Sequence, residues 1–198
     1  MARKFTDSRL IIASHNKGKI DEITSLLEAF NISVTSSAAL GLIEPEETGS
    51  TYLENALIKA QACVTQTGLP ALSDDSGLEV EALEGAPGVN TAPYTKAQGG
   101  HHKVFDLWAK NTDIKKNPRA TFVCVQVLLW PDDHQEIFEG RVQGRLTFPP
   151  QGEHGHGYDP IFIPEGYTKT IAEMPLSAKN MCSQRFLALE QLIKSCFK

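Results

Sequence analysis

Five carboxylates that could hold a divalent cation occur close together in the first half of the chain: Glu46, Glu47, Glu54, Asp74 and Asp75. Mg²⁺ prefers carboxylate oxygens and usually keeps positions for water or for the phosphates of a substrate. An aspartate beside a bound water can also take its proton. Asp74 and Asp75 begin a run of Asp, Ser and Gly, which is typical of a turn. Their position after a short apolar run favours a site, because α/β proteins bind ligands at the carboxyl ends of strands.

A polar loop with two lysines precedes the first predicted helix and has the sequence Ser14, His15, Asn16, Lys17, Gly18, Lys19. Backbone N–H groups at a strand-to-helix junction, together with the helix dipole, favour a bound anion such as phosphate. The spacing is not that of a Walker A loop. A polar turn with two solvated lysines explains these six residues equally well.

Asn55 and Lys59 are four residues apart and therefore share one face of the second predicted helix. They lie beside its apolar stripe, from which they could reach a phosphate. A solvated pair on the protein surface is the more common explanation of this spacing.

Two segments in the last third of the chain could bind a flat ligand or an anion. Glycines around His156 and Tyr158 would let a ring approach the backbone, although such a loop is also typical of a tight turn. Lys179 and Arg185 lie near the start of the terminal helix, where the dipole disfavours cations, so a bound anion or a surface carboxylate would explain them. The histidines of these segments lack zinc-ligand spacing, and no nucleophile elbow is present.

Alternating strands and helices must position these residues. The hydrophobic pattern predicts strands over 9–14, 32–36, 71–73, 120–130, 136–146 and 161–163. It predicts helices over 17–30, from Ser50 or Thr51 to Gly68, over 103–110 and over 178–196. The hairpin across Pro131–Asp133 makes the sheet mixed, so the expected fold class is α/β in one domain over 1–198.

Composition excludes several classes of protein. The 198 residues carry a formal net charge of −5, which argues against nonspecific binding to nucleic acid. The four cysteines are scattered, as expected of reduced, buried thiols in a cytoplasmic protein. The apolar runs are too short for a signal peptide or a membrane span.

Five ordered segments resemble one family, the Ham1-type inosine triphosphate pyrophosphatases, also called dITP/XTP pyrophosphatases. The segments are SHNKGK, EETGSTYLENALIKA, ALSDDSGLEVEALEGAPGV, GHGYDPIF and AEMPLSAKN with SQR. The resemblance implies an elongated mixed sheet with flanking helices, in two lobes around a nucleotide cleft. It also implies a homodimer that hydrolyses ITP, dITP and XTP to the monophosphate and pyrophosphate with Mg²⁺.

The resemblance assigns roles to particular residues. Glu47 and Asp75 match the metal-linked acids, with Asp75 also the general base, and Lys59 the catalytic cation. The triphosphate is expected on Ser14, His15, Asn16, Lys17, Gly18 and Lys19, with Asn55 assisting. The base and sugar are expected on Ser76, His156, Gly157, Tyr158, Asp159, Lys179, Gln184 and Arg185.

Three residues depart from the family pattern. Gln184 stands where the family commonly has His, His156 where an aromatic residue is usual, and Pro93 where Arg is usual. The first two leave room for a Maf-like pyrophosphatase acting on other modified nucleotides. A nucleotide-binding protein without turnover is a further alternative, which the intact Glu47 and Asp75 disfavour.

Overall fold

The computed structural model describes residues 2–155, 157–175 and 182–198. Its strands are β1 (Arg9–Ile12), β2 (Ser33–Ser36), β3 (Ala71–Val80), β4 (Pro87–Gly88), β5 (Arg119–Leu129), β6 (Gln135–Leu146) and β7 (Phe162–Pro164). Its α-helices are α1 (Lys17–Leu27), α2 (Tyr52–Thr67), α3 (Thr91–Ala97), α4 (His101–Trp108), α5 (Thr112–Lys116) and α6 (Gln184–Leu192). Single 3₁₀ turns cover Glu28–Phe30, Glu81–Leu83, Asp159–Ile161 and Ile171–Glu173, and a π-helical turn covers Ile193–Phe197.

The strands form a mixed sheet, which confirms the predicted α/β class. They are hydrogen-bonded in the order β2-β1-β3-β5-β6-β7, and β4 pairs with β3. β1 runs parallel to β2 and β3, whereas β6 with β7 and β3 with β4 are antiparallel. Because a parallel neighbour requires a crossover, α1 connects β1 to β2. No helix within the described residues is long and apolar enough to cross a membrane.

Contacts divide the chain into two compact units. The first contains residues 2–75, 125–139 and 188–198, and the second contains the described residues of 76–124 and 140–187. The expectation of a single domain over 1–198 therefore remains a prediction.

In the first unit, alternate residues of β1 face helices on opposite sides of the sheet. Ile12 belongs to a buried cluster with Ile23 of α1. Ile11 belongs to another cluster with Ala60 of α2. Successive side chains of a strand point to opposite faces of the sheet. Neighbouring residues of β3, which runs parallel to β1, must therefore also face different helices.

The core of the second unit is aromatic. Trp108 of α4, Tyr158 and Phe162 are buried in one cluster with apolar residues of β3, β5 and β6. The Phe122 and Phe162 rings lie 4.5 Å apart, centroid to centroid. α3 and α5, which the hydrophobic pattern did not predict, are helices of seven and five residues. Segments this short carry little periodicity.

Local signals predicted the start and end of α2 correctly. Thr51 and Glu54 form the expected capping box, in which each side chain accepts a hydrogen bond from the other residue's backbone N–H. Gly68 ends the helix with a φ of +63°, a conformation that glycine adopts without steric cost.

One predicted boundary is wrong, and another lies outside the described residues. A turn over Asp74–Gly77 does not form, because β3 continues through these residues to Val80. Turn propensity is overridden here by hydrogen bonding and burial in the sheet. The terminal helix begins at Gln184, after Cys182, and the predicted start at residue 178 lies outside the described residues. The four cysteines are free and buried as predicted, and burial raises the pKa of Cys196 to about 11.

The buried amide of Gln126 gives a first prediction, on stability. Its side chain is fully buried in β5, and neither its oxygen nor its nitrogen has a hydrogen-bond partner among the described residues. An unsatisfied buried polar group costs about 1–3 kcal/mol, so Gln126→Leu should raise the free energy of unfolding by about that amount. Urea denaturation measures the change. A destabilised variant would show that the amide does have a partner, such as an internal water.

Candidate active site

The two aspartates of β3 point to opposite faces of the sheet, and each meets one lysine. Asp74 forms an ion pair with Lys19 of α1, with 2.9 Å between Asp74 Oδ2 and Lys19 Nζ. Asp75 faces α2, where its Oδ1 lies 3.8 Å from Nζ of Lys59. The two adjacent aspartates therefore lie in different environments, because successive side chains of a strand point to opposite faces of the sheet.

Lys59 is the buried centre of a group of charges on the α2 side. Its Nζ lies 2.6 Å from Oε1 of Glu47, and its side chain is only 7% exposed. Burial lowers the pKa of Lys59, but Asp74, Asp75 and Glu47 raise it more, so the pKa lies above its ordinary value. Lys59 is therefore an ammonium at neutral pH. We refer to Glu47, Asn55, Lys59 and Asp75 as the Asp75 cluster.

Asp75 has a raised pKa for a different reason. Burial is the largest cause, and the nearby Glu47 carboxylate also raises it, whereas Lys59, Lys19 and the hydrogen bond from Asn55 lower it. A carboxylate that is reluctant to ionise is more basic when it is ionised. This is the property required of a general base that must take a proton from water.

Asn55 connects the Asp75 cluster to the loop before α2. Its Nδ2 donates to Asp75 Oδ2 at 3.3 Å, and its Oδ1 accepts from the backbone N–H of Gly49 at 2.8 Å. Asn55 itself is buried. Both ends of the amide are therefore satisfied, which keeps its NH₂ group directed at the carboxylate. Asn55 and Lys59 are not the solvated surface pair that their spacing alone would allow.

Gly49 makes this arrangement sterically possible, and the sequence did not single it out. A Cβ added at this position would lie 2.6 Å from Cβ of Glu54 and 2.7 Å from Oδ1 of Asn55. Contacts this short cannot be tolerated without movement of the neighbouring side chains. Only the required proximity of the loop to α2, which is a tertiary feature, distinguishes Gly49 from other loop glycines.

Gly49→Ala therefore gives a second prediction. The methyl group should push the Asn55 amide away from Asp75 and lower the free energy of unfolding by about 1–3 kcal/mol, as overpacking commonly does. Any turnover that depends on Asp75 should fall by about tenfold, the equivalent of one weakened hydrogen bond to a charged group. Thermal melting and steady-state turnover measure the two effects. Unchanged values for both would contradict the assigned role of Gly49.

Glu54 is not a member of the Asp75 cluster, although its residue type made it a candidate acid. Its Oε2 accepts hydrogen bonds from the backbone and hydroxyl of Ser50 and from the backbone of Thr51. These bonds, chiefly the one from the Ser50 hydroxyl, hold the pKa of Glu54 below its ordinary value. Glu54 thus begins the helix that carries Asn55 and Lys59.

The polar loop before α1 forms a strand-to-helix junction, as the sequence indicated. Asn16 is the N-cap of α1, and its Oδ1 accepts from the backbone N–H of Lys19 at 3.3 Å. Ser14 is buried and its carbonyl accepts from the Ser37 hydroxyl, whereas His15 donates through Nε2 to the carbonyl of Leu42. Lys17 and Gly18 are exposed. The anion-binding role of this loop remains a prediction.

Glu47 and Asp75 fit a magnesium ion by the chemistry of their donor atoms. Both carboxylates are held near the same ammonium, and Glu47 is partly exposed, so a cation can approach from solvent. Across the described ranges, no group of three or more His, Cys, Asp or Glu side chains could hold a metal. Two carboxylates suffice for Mg²⁺ when water and substrate phosphates complete its coordination.

The second unit contains the residues predicted to bind base and sugar. Tyr158 is only 3% exposed; its hydroxyl lies 2.7 Å from Oγ1 of Thr95, and its ring stacks on Trp108. Burial raises the pKa of Tyr158, so it remains a neutral phenol. Its observed contacts position the loop at Gly157 and Asp159. Thr95 and Trp108, which hold it, carried no recognisable signal in the sequence.

The remaining predicted residues lie in β3 and at the start of α6. Ser76 is half-buried in β3, and Gln184 and Arg185 form the first turn of α6, with Arg185 buried. Oγ of Ser183 accepts from the backbone N–H of Phe186, which places Ser183 at the N-cap position. His156 and Lys179 lie outside the described residues. The base- and sugar-binding roles of this group remain predictions.

Comparison with known proteins identifies the family. A Ham1 family model matches residues 10–195. The chain is 46% identical over 202 aligned residues to a dITP/XTP pyrophosphatase of Ruegeria pomeroyi, covering 100% of this chain and 99% of that protein. A homologue of the same name from Brucella melitensis is 47% identical over 187 residues, covering 90% of this chain and 84% of that protein.

Solved structures agree with this result. A HAM1 protein of Coxiella burnetii matches with a TM-score of 0.83 and 36% identity, covering 95% of this chain and 98% of that one. The Ham1 protein of Staphylococcus aureus matches with a TM-score of 0.79 and 35% identity, covering 93% and 95%. With a family model, full-length relatives and solved structures in agreement, this chain belongs to the Ham1 family.

Proposed function

We propose that this chain is a nucleoside triphosphate pyrophosphatase that hydrolyses deaminated purine nucleotides, namely ITP, dITP and XTP. The products are the nucleoside monophosphate and pyrophosphate, and the reaction clears noncanonical nucleotides from the pool. The observation that carries the proposal is the Asp75 cluster, in which a buried carboxylate of raised pKa is held by an amide beside a lysine and a second acid. Full-length relatives named dITP/XTP pyrophosphatase support the choice of substrate.

Within the Asp75 cluster, the proposed roles follow from charge and burial. The Asp75 carboxylate orients the attacking water and takes its proton as the oxygen attacks the α-phosphorus. The Lys59 ammonium stabilises negative charge that develops on the phosphates. Asn55 keeps the Asp75 carboxylate in one orientation throughout.

Pyrophosphatases of this family are metal-dependent hydrolases, and we propose Mg²⁺ as the metal here, held by Glu47 and Asp75. When bound, Mg²⁺ would supply positive charge to the phosphates and make pyrophosphate a better leaving group. Glu47 would then exchange its contact with the Lys59 ammonium for the metal. Lys59 would be left free to meet the phosphate chain.

Discrimination against adenine follows from the 6-oxo group that inosine and xanthine share. A buried donor that pairs with this oxygen is left unpaired when the amino group of adenine arrives, and such a loss is costly. Gln184 and Arg185 are the proposed donors. Gln184 replaces the His that is common in the family and carries no charge, so base affinity should not depend on a titration at this position.

The other two departures from the family pattern bear on affinity rather than on chemistry. Pro93 is exposed in the first turn of α3, where proline is tolerated. Its effect is the absence of a charge that the family usually has at this surface. His156, in place of an aromatic residue, would give a smaller surface for stacking on the base.

Assembly and location complete the proposal. Homodimer formation is implied by the family resemblance. A cytoplasmic location is supported by the four free, buried cysteines, which suit a reducing compartment.

A substrate panel tests the proposed function. Pyrophosphate release is measured with Mg²⁺ from ITP, dITP, XTP, GTP and ATP, and from modified pyrimidine triphosphates. We expect ITP, dITP or XTP to exceed ATP by at least about 100-fold, the discrimination that one unpaired buried donor supplies. GTP has the same 6-oxo group, so its turnover reports exclusion near the 2-amino group instead. Preferred turnover of a pyrimidine would instead favour a Maf-like enzyme. Tight ITP binding without product would favour a binding protein that has no turnover.

A further inference from the structure

Two arginines of the second unit lie directly opposite each other on neighbouring strands. The backbone N–H of Leu146 in β6 donates to the carbonyl of Pro118 at 2.8 Å, just before β5. In an antiparallel pair this register places Arg145 opposite Arg119, with both side chains on the same face. Ala120 and Leu146, the next residues, are buried in the core, so the arginines face outward.

Like charges in this position are unfavourable unless something offsets them. Side chains directly opposite on one face lie about 4.5–5.5 Å apart at Cβ, and like charges there destabilise a sheet. Within the described parts of the chain, neither guanidinium forms an ion pair or a side-chain hydrogen bond. Arg141, two strand positions from Gln143 on the same face of β6, does have a partner and pairs with Glu79.

The two arginines line a groove of about 600 Å³. All its lining residues belong to the second unit, and they include Gln143 beside the arginines and Ile163 next to Arg145 in the sheet. Two carboxylates, Glu81 and Glu165, also line the groove, so a bound anion must be held on its arginine side. Tyr167 lies at the groove with 42% of its surface exposed. A volume of this size is typical of small-molecule sites and holds a ligand with several polar groups.

We propose that the Arg119–Arg145 groove is a second ligand site, which binds two neighbouring phosphoryl groups of a small molecule. Guanidinium groups bind phosphate oxygens through paired N–H donors, and an anion between them removes their repulsion. The phosphoryl groups could belong to inorganic pyrophosphate or to the phosphate chain of a nucleotide. In the second case the exposed ring of Tyr167 offers a surface on which a base can stack.

Binding is measured without turnover, so the test does not depend on the proposed hydrolysis. Isothermal titration with pyrophosphate in EDTA is applied to the full-length wild type, Arg119→Gln and Arg145→Gln. The wild type should show one class of pyrophosphate-binding site. Each variant should lower the affinity of this class by at least about tenfold, the loss expected for one charged hydrogen bond. Arg141→Gln, which removes the same charge from the same strand, should retain this class.

Thermal melting separates lost binding from lost folding. Without an anion, Arg145→Gln should be at least as stable as the wild type, because the substitution removes a repulsion. Added pyrophosphate should then raise the melting temperature of the wild type more than that of the variant. A variant that is less stable without an anion would overturn the proposal, since it would show that the guanidinium has a structural partner within the protein.

Two further arms identify the ligand and the main alternative. If the groove binds a nucleotide, ATP should bind more tightly than pyrophosphate, and Tyr167→Ala should remove that difference in affinity. If ATP and pyrophosphate bind equally tightly, the ligand is pyrophosphate. Equal pyrophosphate binding by the wild type and both arginine variants would overturn the proposal. So would dissociation of a wild-type oligomer by Arg145→Gln, measured by sedimentation, with pyrophosphate binding unchanged, because the face would then be a contact between copies of the chain.

Discussion

Replacement of Asp75 by Asn should lower the rate of pyrophosphate release from ITP by about 10²–10⁴-fold, the contribution expected of the proposed general base. Asn has nearly the same shape and can still meet Asn55 and Lys59, but it cannot take a proton from water. The measurement is steady-state pyrophosphate release with Mg²⁺. Asp21→Asn, on the exposed surface of α1 in the same unit, is the matched control and should retain wild-type turnover.

The same substitution should stabilise the metal-free protein. Burial raises the folded-state pKa of Asp75 above that of the unfolded chain, and this net rise already includes the attraction of Lys59. A group whose pKa is raised on folding contributes its full stability below the unfolded pKa, about 3.9 for Asp, and loses it as the pH rises through the folded value. At neutral pH, ionised Asp75 therefore opposes folding, and Asp75→Asn removes that cost.

Thermal melting in EDTA as a function of pH measures this effect. The Asp75→Asn variant should melt above the wild type at pH 7, and the difference should disappear below about pH 4, where Asp75 is protonated in both states. A variant that melts below the wild type at pH 7 would show that the carboxylate contributes to the fold. A variant that keeps wild-type turnover would remove Asp75 from the mechanism.

Lys59→Met should be nearly as damaging to activity. The methionine side chain fills the space of the lysine stem but leaves Glu47 and Asp75 without the ammonium between them. Pyrophosphate release should fall by about 10²–10³-fold, the loss that follows removal of one preorganised electrostatic stabiliser. The free energy of unfolding should also fall, because breaking a buried ion pair leaves a charge uncompensated.

The control for Lys59→Met separates charge at the site from total charge. Lys110→Met removes the same charge from an exposed position of the second unit and should not change turnover. Circular dichroism must show that Lys59→Met is folded at the assay temperature, so that lost activity reports the site. Turnover within threefold of the wild type in a folded Lys59→Met protein would contradict the assigned role of Lys59.

Several elements could be predicted because their signals are local. The capping box of Thr51 and Glu54, the stop at Gly68 and the long hairpin of β5 and β6 depend on residues close in sequence. The order of motifs from Ser14 to Arg185 also identified the family without any structure. The capping box, the helix stop and the hairpin are each complete within a short window, so the rest of the fold need not be known to interpret them.

Other features could not be predicted, because distant residues decide them. Asp74–Gly77 has turn composition but lies within β3, where pairing with neighbouring strands outweighs local preference. The Tyr158 ring is packed on Trp108, which is fifty positions away in sequence, and no local signal indicates that contact. No feature of the sequence distinguishes Gly49 from other loop glycines, because its close contact with Asn55 arises only in the folded chain.

The sequence by itself therefore determined the fold class, the family and the residue types that carry the chemistry. The tertiary structure alone decided which lysine serves which aspartate: Lys19 meets Asp74, and Lys59 meets Asp75. The physical reason is that neighbouring residues of a strand face opposite sides of a sheet, and only packing determines which helix covers each side. Burial on the α2 side then raised the pKa of Asp75, and the surrounding carboxylates raised the pKa of Lys59 against the effect of burial. Neither shift can be read from the order of residues in the sequence.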